Sequence, residues 1–257
     1  NPIHYDAIII IPYRNRTAHR DELVAHFGNY TSTYFRDKKF LILITEEDDR
    51  KRFSRSWTFN VGFITAINKY GMNQGCIILH DVDRLPKAYV PYTTCDVPTQ
   101  LNSEDDQYGG SVFYPAYTGG VISMSVSHWL MVNGLGNVYR GWGKEDDDLL
   151  CRIRLNQLQR RFNVINRPPR GQGKFRSGRE GGHTKTDYSQ EGKNEQHLSR
   201  MKLGNGIAIM DNDGISSANF VITRSGKLPR YPNLDAEQIS FKLPEDEAKL
   251  LEDLPVG

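Results

Sequence analysis

Continuous apolar runs alternate with amphipathic stretches over the first third of the chain. Residues 7–11, 39–45 and 76–79 are mostly β-branched and aliphatic, a composition typical of strands that are buried on both faces of a sheet. The stretches between these runs, residues 21–30 and 59–70, repeat apolar side chains at helical spacing. The order strand, helix, strand, helix, strand predicts a doubly wound α/β sheet.

Polar residues, prolines and glycines predict where these elements end and where loops begin. We expect Pro12 to stop the first strand and residues 46–52 to begin a polar helix. Residues 85–107 and 164–182 are rich in proline together with threonine or glycine. Such composition indicates irregular excursions from the sheet.

The second half of the chain contains shorter elements. The pattern predicts a strand at 121–124, a helix at 127–132, an exposed or mobile polar segment at 187–206 with a helix around 197–202, paired strands at 219–223 and 238–243, and a terminal helix within the acidic residues 244–257. No internal repeat or linker is visible, so residues 1–257 are expected to form a single domain.

The composition is that of a soluble globular protein, with 38% hydrophobic residues, 25% charged residues and a net charge of +2. So small a charge argues against nucleic acid or an anionic membrane as a partner. No stretch approaches the ~20 apolar residues of a membrane-spanning helix. Because the chain enters a strand at once, without a signal peptide, we expect it to be trimmed from a longer protein.

Three cysteines, Cys76, Cys95 and Cys151, are an odd number without CxxC spacing. This pattern disfavours a zinc site or a redox motif. One disulfide with a free thiol and three buried thiols are both compatible with it.

The block at residues 141–148, Gly-Trp-Gly-Lys-Glu-Asp-Asp-Asp, is the most unusual stretch of the chain. Glycines on both sides of Trp142 free the backbone, so the indole is expected at a bend. The helix dipole stabilises carboxylates at a helix start, so a simple alternative is a capped helix with Asp146 or Asp147 near the N-cap. That alternative leaves the tryptophan between two glycines unexplained.

Charged residues follow two of the predicted strands, at the edge where open α/β sheets bind ligands. Arg14 and Arg16 follow the first strand and suit a phosphate or pyrophosphate, or they are solvated loop residues. Asp81 and Asp83 follow the third strand, and in extended backbone they share one face. Two such carboxylates indicate a divalent cation that carries a phosphorylated ligand. The alternative is a strand-end turn that an aspartate caps.

Two glycines at positions 119 and 120 separate Tyr117 from the strand at residues 121–124. Glycines there allow a ligand to approach the backbone closely. Tyr114 and Tyr117 are therefore candidates for lining a sugar or a base, although aromatic residues at such places are as often packing residues.

Six segments occur in a fixed order along the chain: Pro12-Tyr-Arg-Asn-Arg16, Phe53-Ser-Arg55, Asn60-Val-Gly-Phe63, Asp81-Val-Asp83, Tyr117-Thr-Gly-Gly120 and Gly141-Trp-Gly-Lys-Glu-Asp-Asp-Asp148. Together they resemble the β-1,4-galactosyltransferase family of inverting enzymes. His80 is similar to the xylose-directed branch, whereas the first segment is similar to the N-acetylglucosamine-directed branch. The resemblance implies a GT-A fold, which is a nucleotide-sugar-binding doubly wound sheet with mobile loops and a small C-terminal β element.

The resemblance also implies roles for individual residues. It places Mn²⁺, or Mg²⁺ in its stead, on Asp83 and His183, and Glu180 stands where the family has a further ligand. Asp146 corresponds to the general base, and Asp147 and Tyr117 to acceptor contacts. The residues that correspond to the UDP-sugar site are Pro12, Arg14, Arg16, Phe53, Arg55, Asp81, Val82, Tyr117, Trp142 and Glu145. Trp142 and His183 correspond to residues on two mobile loops, and a tyrosine at position 117 favours galactose over an N-acetylated donor sugar.

The reaction implied is transfer of galactose from UDP-galactose to a hydroxyl of xylose or N-acetylglucosamine in β-1,4 linkage. The implied location is the Golgi lumen, as the catalytic part of a type II membrane protein. Arg140 replaces an aromatic residue of the family, which together with Glu180 leaves UDP-GalNAc, UDP-GlcNAc or UDP-glucose open as the donor. A sugar- or nucleotide-binding protein without turnover is a weaker alternative. A metal-dependent phosphohydrolase would need further clustered ligands.

Overall fold

A computed structural model describes residues 4–48, 51–112, 114–156, 165–177 and 187–244. The elements in this part are β1 (Ala7–Tyr13), α1 (Thr17–Tyr34), β2 (Phe40–Glu47), α2 (Arg55–Tyr70), β3 (Cys76–His80), β4 (Arg84–Pro86), β5 (Thr99–Gln100), β6 (Glu104–Asp105), β7 (Val121–Ser125), α3 (Val126–Met131), α4 (Glu145–Leu155), β8 (Lys174–Ser177), α5 (Glu191–Leu203), α6 (Gly206–Asn212), β9 (Val221–Lys227) and β10 (Leu234–Lys242).

Seven of these strands form one mixed sheet in the order β5-β7-β3-β1-β2-β10-β9. The pairs that join β3, β1, β2 and β10 are parallel, and those that add β7, β5 and β9 at the two sides are antiparallel. Strands β4, β8 and β6 form a separate small sheet. The predicted α/β class, and the pairing of the two C-terminal strands, are confirmed.

Alternate side chains of β1 enter two different layers of the core. Ile8 and Ile10 pack with residues of α2, whereas Ile9 and Ile11 pack with residues of α1. All four isoleucines are fully buried, as their apolar run predicts. The first two helices therefore cover opposite faces of the sheet, which is the doubly wound arrangement.

Strand β1 continues through Pro12 to Tyr13, so the prediction that Pro12 ends it is wrong. Strand β3 pairs with β1 only as far as Ile10, whereas β2 pairs with it as far as Tyr13. Pro12 thus lies where β1 has a neighbour on one side only. A proline, which lacks the backbone N–H, is tolerated at such a position.

Residues 46 and 47 complete β2, so the helix start predicted there is wrong. Pairing with β10 extends the strand, with Glu47 opposite Phe241. Helix α2 begins instead at Arg55, behind Ser54, whose hydroxyl oxygen accepts a hydrogen bond from the Trp57 backbone N–H at 3.1 Å. This side-chain cap satisfies a backbone donor that the helix leaves without a partner.

The two excursions predicted to be irregular contain short strands, so that prediction is wrong in part. Strands β4 and β6 lie in or beside the first excursion and β8 lies in the second, and β8 pairs with both. Elements of two to four residues are too short to show a hydrophobic period. Whether such short segments form strands depends on the segments with which they pair.

Helix α5 is longer and less exposed than the polar composition of its segment predicts. It buries Asn194, Leu198 and Met201, which are spaced along one helical face, and it packs against α4 and α6. The prediction of an exposed or mobile segment is therefore wrong for these residues, and α6 is an unpredicted addition. A mostly polar helix can pack against its neighbours when a narrow stripe of buried residues lies along one of its faces.

Cys76 and Cys95 form a disulfide with a Cα–Cα distance of 5.6 Å, and Cys151 is a half-buried free thiol. This outcome decides between the two alternatives that the cysteine count leaves open. Among the described helices, none has the length and apolar composition needed to cross a membrane. Residues 245–257, for which a helix is predicted, lie outside the described part.

Candidate active site

The carboxyl ends of the parallel strands β1 and β3 lie at the same edge of the sheet. Strand β1 leads into α1 on one face of the sheet, and β3 is reached from α2 on the other, so the chain reverses its direction across the sheet between these neighbours. Ligands of open α/β sheets bind at this kind of switch point. The predicted site residues after both strands therefore lie where a ligand is expected.

Asp83 is paired with Arg16 at this edge. Arg16 Nη2 donates to Asp83 Oδ2 at 2.8 Å, and Asp83 is only 7% exposed. The backbone after β3 is a turn, closed by the Arg84 N–H on the Asp81 carbonyl at 3.2 Å. The expectation of extended backbone with both carboxylates on one face is therefore wrong, and Asp81 and Asp83 have different arginine partners.

Arg55 connects the end of β3 with the start of α4. Its Nε donates to Asp81 Oδ1 at 2.9 Å, its Nη1 donates to Asp146 Oδ1 at 2.5 Å, and Glu145 lies 3.8 Å from Nη1. Burial lowers the pKa of Arg55, but Asp146 and its fellow carboxylates outweigh burial and raise that pKa well above its ordinary value. A permanent cation is thus held in the midst of three carboxylates.

The acidic run forms the first turn of α4. The helix begins at Glu145, and its N-cap is Lys144 with φ 80°, so the prediction of Asp146 or Asp147 near the N-cap places the cap too late. Gly141 and Gly143 both have positive φ, 67° and 98°, which confirms the bend around Trp142. The helix dipole stabilises carboxylates in this turn.

Burial makes the carboxylates of Glu145 and Asp146 stronger bases than free carboxylates. Burial is the main cause that raises the pKa of each, and for Glu145 the neighbouring Asp146 raises it further. Arg55 opposes the shift at both residues. Since two partly buried carboxylates side by side do not ionise independently, the pair titrates as a unit.

Asp146, Tyr117 and Gly119 meet closely. A Cβ atom at Gly119 would overlap Asp146 Oδ2 and the Tyr117 hydroxyl oxygen as they stand, so a larger residue would displace these side-chain ends. The Thr118 hydroxyl donates to the Asp146 carbonyl at 2.6 Å. Within the described part Asp146 Oδ2 accepts no hydrogen bond, whereas Oδ1 is held by Arg55.

Asp147 points to a second tyrosine. The Tyr114 hydroxyl donates to Asp147 Oδ1 at 2.8 Å, and the rings of Tyr114 and Tyr117 are 5.4 Å apart between centroids. These two aromatic residues border the predicted acceptor contact, and both the sugar-lining and the packing interpretation fit this arrangement.

Trp142 is 44% exposed on the turn at Gly141–Gly143, which we call the Trp142 turn. The backbone N–H of Trp142 donates to the Asp187 carbonyl at 2.9 Å. Its ring packs edge-on against the Tyr188 ring, with 4.9 Å between the centroids. Asn194 of α5 donates its side-chain amide to the carbonyls of Arg140, Trp142 and Gly143. Nothing local in the sequence singles out this asparagine, since its role depends on a contact across about fifty residues.

The remaining residues predicted for the donor lie beside this centre. The Arg14 guanidinium lies 5.6 Å from the Phe53 ring centroid and donates to the Glu47 carboxylate at 3.2 Å. Pro12 and Val82 are buried and offer no polar side chain, so only their backbone can contact a ligand.

The predicted metal ligands fall partly outside the described residues. Asp83 provides a hard carboxylate oxygen of the kind Mn²⁺ and Mg²⁺ prefer, and it is buried at the switch point. His183 and Glu180 lie outside the described part, and no group of three potential ligands occurs within it. The Asp83 carboxylate thus fits one ligand position of such a cation.

Two family models match most of the chain. The N-terminal region of glycosyl transferase group 7 matches residues 2–96, and the N-terminal domain of galactosyltransferase matches residues 99–179.

Similar proteins with assigned names agree with these models. β-1,4-Galactosyltransferase 4 of Mus musculus is 32% identical over 231 residues, which cover 89% of this chain and 62% of that protein. β-1,4-Galactosyltransferase 1 of Bos taurus is 29% identical over 231 residues, 89% of this chain and 53% of that protein. The chain thus spans less than two thirds of the length of these relatives.

A solved structure shows the same fold. A mutant of Drosophila β-1,4-galactosyltransferase 7, in complex with manganese, UDP-Gal and xylobiose, has a TM-score of 0.69 at 22% identity, over 96% of this chain and 97% of that one. The likeness confirms the predicted GT-A architecture.

Proposed function

The chain belongs to the β-1,4-galactosyltransferase family, and on that premise we propose that it is an inverting, metal-dependent glycosyltransferase. It moves galactose from UDP-galactose to a hydroxyl of an acceptor sugar, xylose or N-acetylglucosamine, in β-1,4 linkage. It acts in the Golgi lumen as the catalytic part of a type II membrane protein.

The carboxylate of Asp146 carries this proposal. Arg55 fixes Oδ1, while Oδ2 lies over the Gly119 backbone beside the Tyr117 hydroxyl. Burial raises the pKa of Asp146, which makes the carboxylate a better proton acceptor. A base held by one oxygen, with the other free, suits deprotonation of an acceptor hydroxyl as it attacks the anomeric carbon.

The donor end carries the positive charge that a nucleotide sugar requires. Arg14 and Arg16 follow β1, and Arg16 reaches Asp83 at the end of β3. Asp83, His183 and Glu180 would hold Mn²⁺, which when bound neutralises charge on the departing diphosphate. Arginines suit phosphate oxygens through their forked donors, so Arg16 stabilises the same leaving group.

Acceptor binding falls to Asp147, the residue after the proposed base. Tyr114 orients Asp147 through the hydrogen bond at 2.8 Å, and a carboxylate so oriented can accept hydrogen bonds from sugar hydroxyls. Trp142, exposed on its turn, is placed to cover the bound donor. Such cover excludes water, which otherwise competes with the acceptor.

The test is Asp146→Asn. The amide keeps the shape and one oxygen acceptor for Arg55 but is a poor base, so transfer should fall by at least about 100-fold. Binding of UDP and of Mn²⁺, measured by calorimetry, should stay close to wild type. Asp211→Asn, which changes an exposed aspartate, is the matched control and should retain full transfer. Near wild-type transfer by Asp146→Asn would mean that another group is the base.

A different donor sugar is the second candidate, because Arg140 replaces the family's aromatic residue beside the Trp142 turn. Purified protein with Mn²⁺ can be assayed on an acceptor array with UDP-galactose, UDP-GalNAc, UDP-GlcNAc and UDP-glucose. Transfer from UDP-galactose above the other three supports the first candidate. Donor binding without transfer to any acceptor would support a non-catalytic sugar- or nucleotide-binding protein.

A further inference from the structure

Glu47, at the end of β2, lies between two arginines from other segments. Arg14 Nη2 lies 3.2 Å from Glu47 Oε2, and Arg140 Nη1 lies 2.5 Å from Glu47 Oε1. The Glu47 side chain is fully buried, and that of Arg140 is 10% exposed. A buried carboxylate is stable only when it is paired, so this contact constrains all three segments.

The Arg140 side chain also anchors the backbone before α2. The same Nη1 donates to the Arg52 carbonyl at 3.0 Å, and the Gly141 N–H donates to the Phe53 carbonyl at 2.9 Å. Nη2 of Arg140 has no hydrogen-bond partner among the described residues. Within the described part the Arg140 side chain is thus held through Nη1, and this contact adds to the backbone bonds that hold the amino side of the Trp142 turn.

The other side of Glu47 leads to the donor end of the proposed site. Arg14 shares the carboxylate with Arg140 and lies over the ring of Phe53. The carbonyl of that phenylalanine holds Gly141. Two routes, one ionic and one through the backbone, thus connect Arg14 with the Trp142 turn.

We propose that Glu47 and Arg140 are positioning residues that hold the Trp142 turn and link its position to a nucleotide bound at Arg14. The link rests on the proposed function for its nucleotide ligand. An anionic ligand that binds Arg14 would draw its guanidinium away from Glu47. The Glu47 carboxylate would then pair with Arg140 alone, and because that ion pair becomes stronger, Arg140 would hold the Trp142 turn more firmly.

The chain offers an optical probe of this turn. Of its three tryptophans, Trp57 and Trp129 are 2% and 0% exposed, whereas Trp142 is 44% exposed. Acrylamide quenching of tryptophan fluorescence therefore reports chiefly on Trp142, and Trp142→Phe, which should abolish the quenchable fraction, checks that assignment. The measurement is made with and without UDP, and it requires no transfer reaction.

Two variants break the pair in different ways. Arg140→Met leaves Glu47 with Arg14, whereas Glu47→Gln removes the carboxylate from the buried Arg140 and the partly buried Arg14, so Glu47→Gln should have the larger effect. In both, the quenching constant should change in the absence of UDP, and the response to UDP should shrink. The kcat with UDP-galactose should fall roughly tenfold to a hundredfold, with a smaller change in KM.

Arg140→Lys provides the conservative rescue. Because both hydrogen bonds of the Arg140 side chain use Nη1, one ammonium group can replace them, and quenching and kcat should return to within about threefold of wild type. Arg224→Met is the matched control. It removes an arginine whose 3.4 Å pair with Asp48 is largely exposed, and it should leave quenching and kcat unchanged.

The outcomes separate this inference from the proposed function. If Glu47→Gln fails to fold, comparison of Arg140→Met with Arg140→Lys decides. Unchanged quenching and an unchanged UDP response in folded Arg140→Met refute the positioning role, even if the wild type transfers galactose. Altered quenching that Arg140→Lys restores supports that role, even if no UDP-sugar tested is a donor.

Discussion

At the scale of single residues, the proposed chemistry depends on a close contact at Gly119. A Cβ atom there would overlap Asp146 Oδ2 and the Tyr117 hydroxyl as they stand, so a larger residue would displace both side-chain ends. Burial raises the pKa of Tyr117, so its hydroxyl stays protonated at neutral pH. The tyrosine thus lies as a neutral side chain beside Asp146, and under the proposed function its size would set the space that remains for the donor sugar.

Tyr117→Ala should widen that space and raise the rate with UDP-GalNAc relative to UDP-galactose by roughly tenfold. The measurement is the ratio of kcat/KM for the two donors with one acceptor. Tyr114→Phe is the matched control at the neighbouring ring. It removes the hydrogen bond to Asp147, so it should raise the acceptor KM and leave the donor ratio unchanged. An unchanged donor ratio in Tyr117→Ala would remove Tyr117 as the determinant of donor choice.

At the scale of elements, α4 separates chemistry from anchoring. Its first three residues face the site, whereas Asp148 and Arg152, one turn apart, form a buried pair at 2.6 Å. Arg152 is fully buried and also donates to the carbonyls of Val132 and Asp213. One helix thus presents Asp146 at a fixed place because the pair behind it holds the helix against its neighbours.

Arg152→Met should lower the free energy of unfolding by about 3 kcal/mol, because it leaves Asp148 buried without its cation. Urea denaturation followed by circular dichroism gives the value. Arg154→Met makes the same exchange on the same helix, where no ion pair is present within the described part, and should change stability by less than about 0.5 kcal/mol. Equal losses in the two variants would contradict the anchoring role.

At the scale of the whole molecule, the site exists because the sheet brings distant segments to one switch point. Residues after β1, after β3 and at the starts of α2 and α4 meet there through Arg16, Arg55 and their carboxylates. Arg16 pairs with Asp83, the described residue to which we assign the metal in the proposed function. Under that proposal metal and arginine would compete for Asp83, and a bound diphosphate would give Arg16 another partner.

Asp83→Ala should weaken Mn²⁺ binding by roughly 100-fold or more and remove the enhancement of UDP binding by Mn²⁺. Calorimetric titration of UDP with Mn²⁺ and with EDTA measures both. Asp106→Ala, which breaks an exposed pair with Lys87 at 2.9 Å, is the control and should keep the enhancement. If Asp83→Ala retains it as well, the metal is held elsewhere.

Features that depend on residues close together along the chain could be predicted from the sequence. The apolar runs of β1, β2 and β3 and the spacing of α1 and α2 identify the central fold, because burial on two faces or on one imposes a period on local sequence. The Gly-Trp-Gly bend and the acidic start of α4 were predictable as well, because glycine frees the local backbone and the helix dipole stabilises carboxylates in the first turn.

Contacts between residues far apart along the chain depend on the tertiary structure. It pairs Cys76 with Cys95 and gives Arg55 to Asp81 and Asp146. It also brings Asn194 to the Trp142 turn and Glu47 to Arg140 beside that turn. It also forms β8 from residues too few to show a period. These contacts join segments far apart along the chain, so no local pattern records them, and folding selects them through burial and charge pairing.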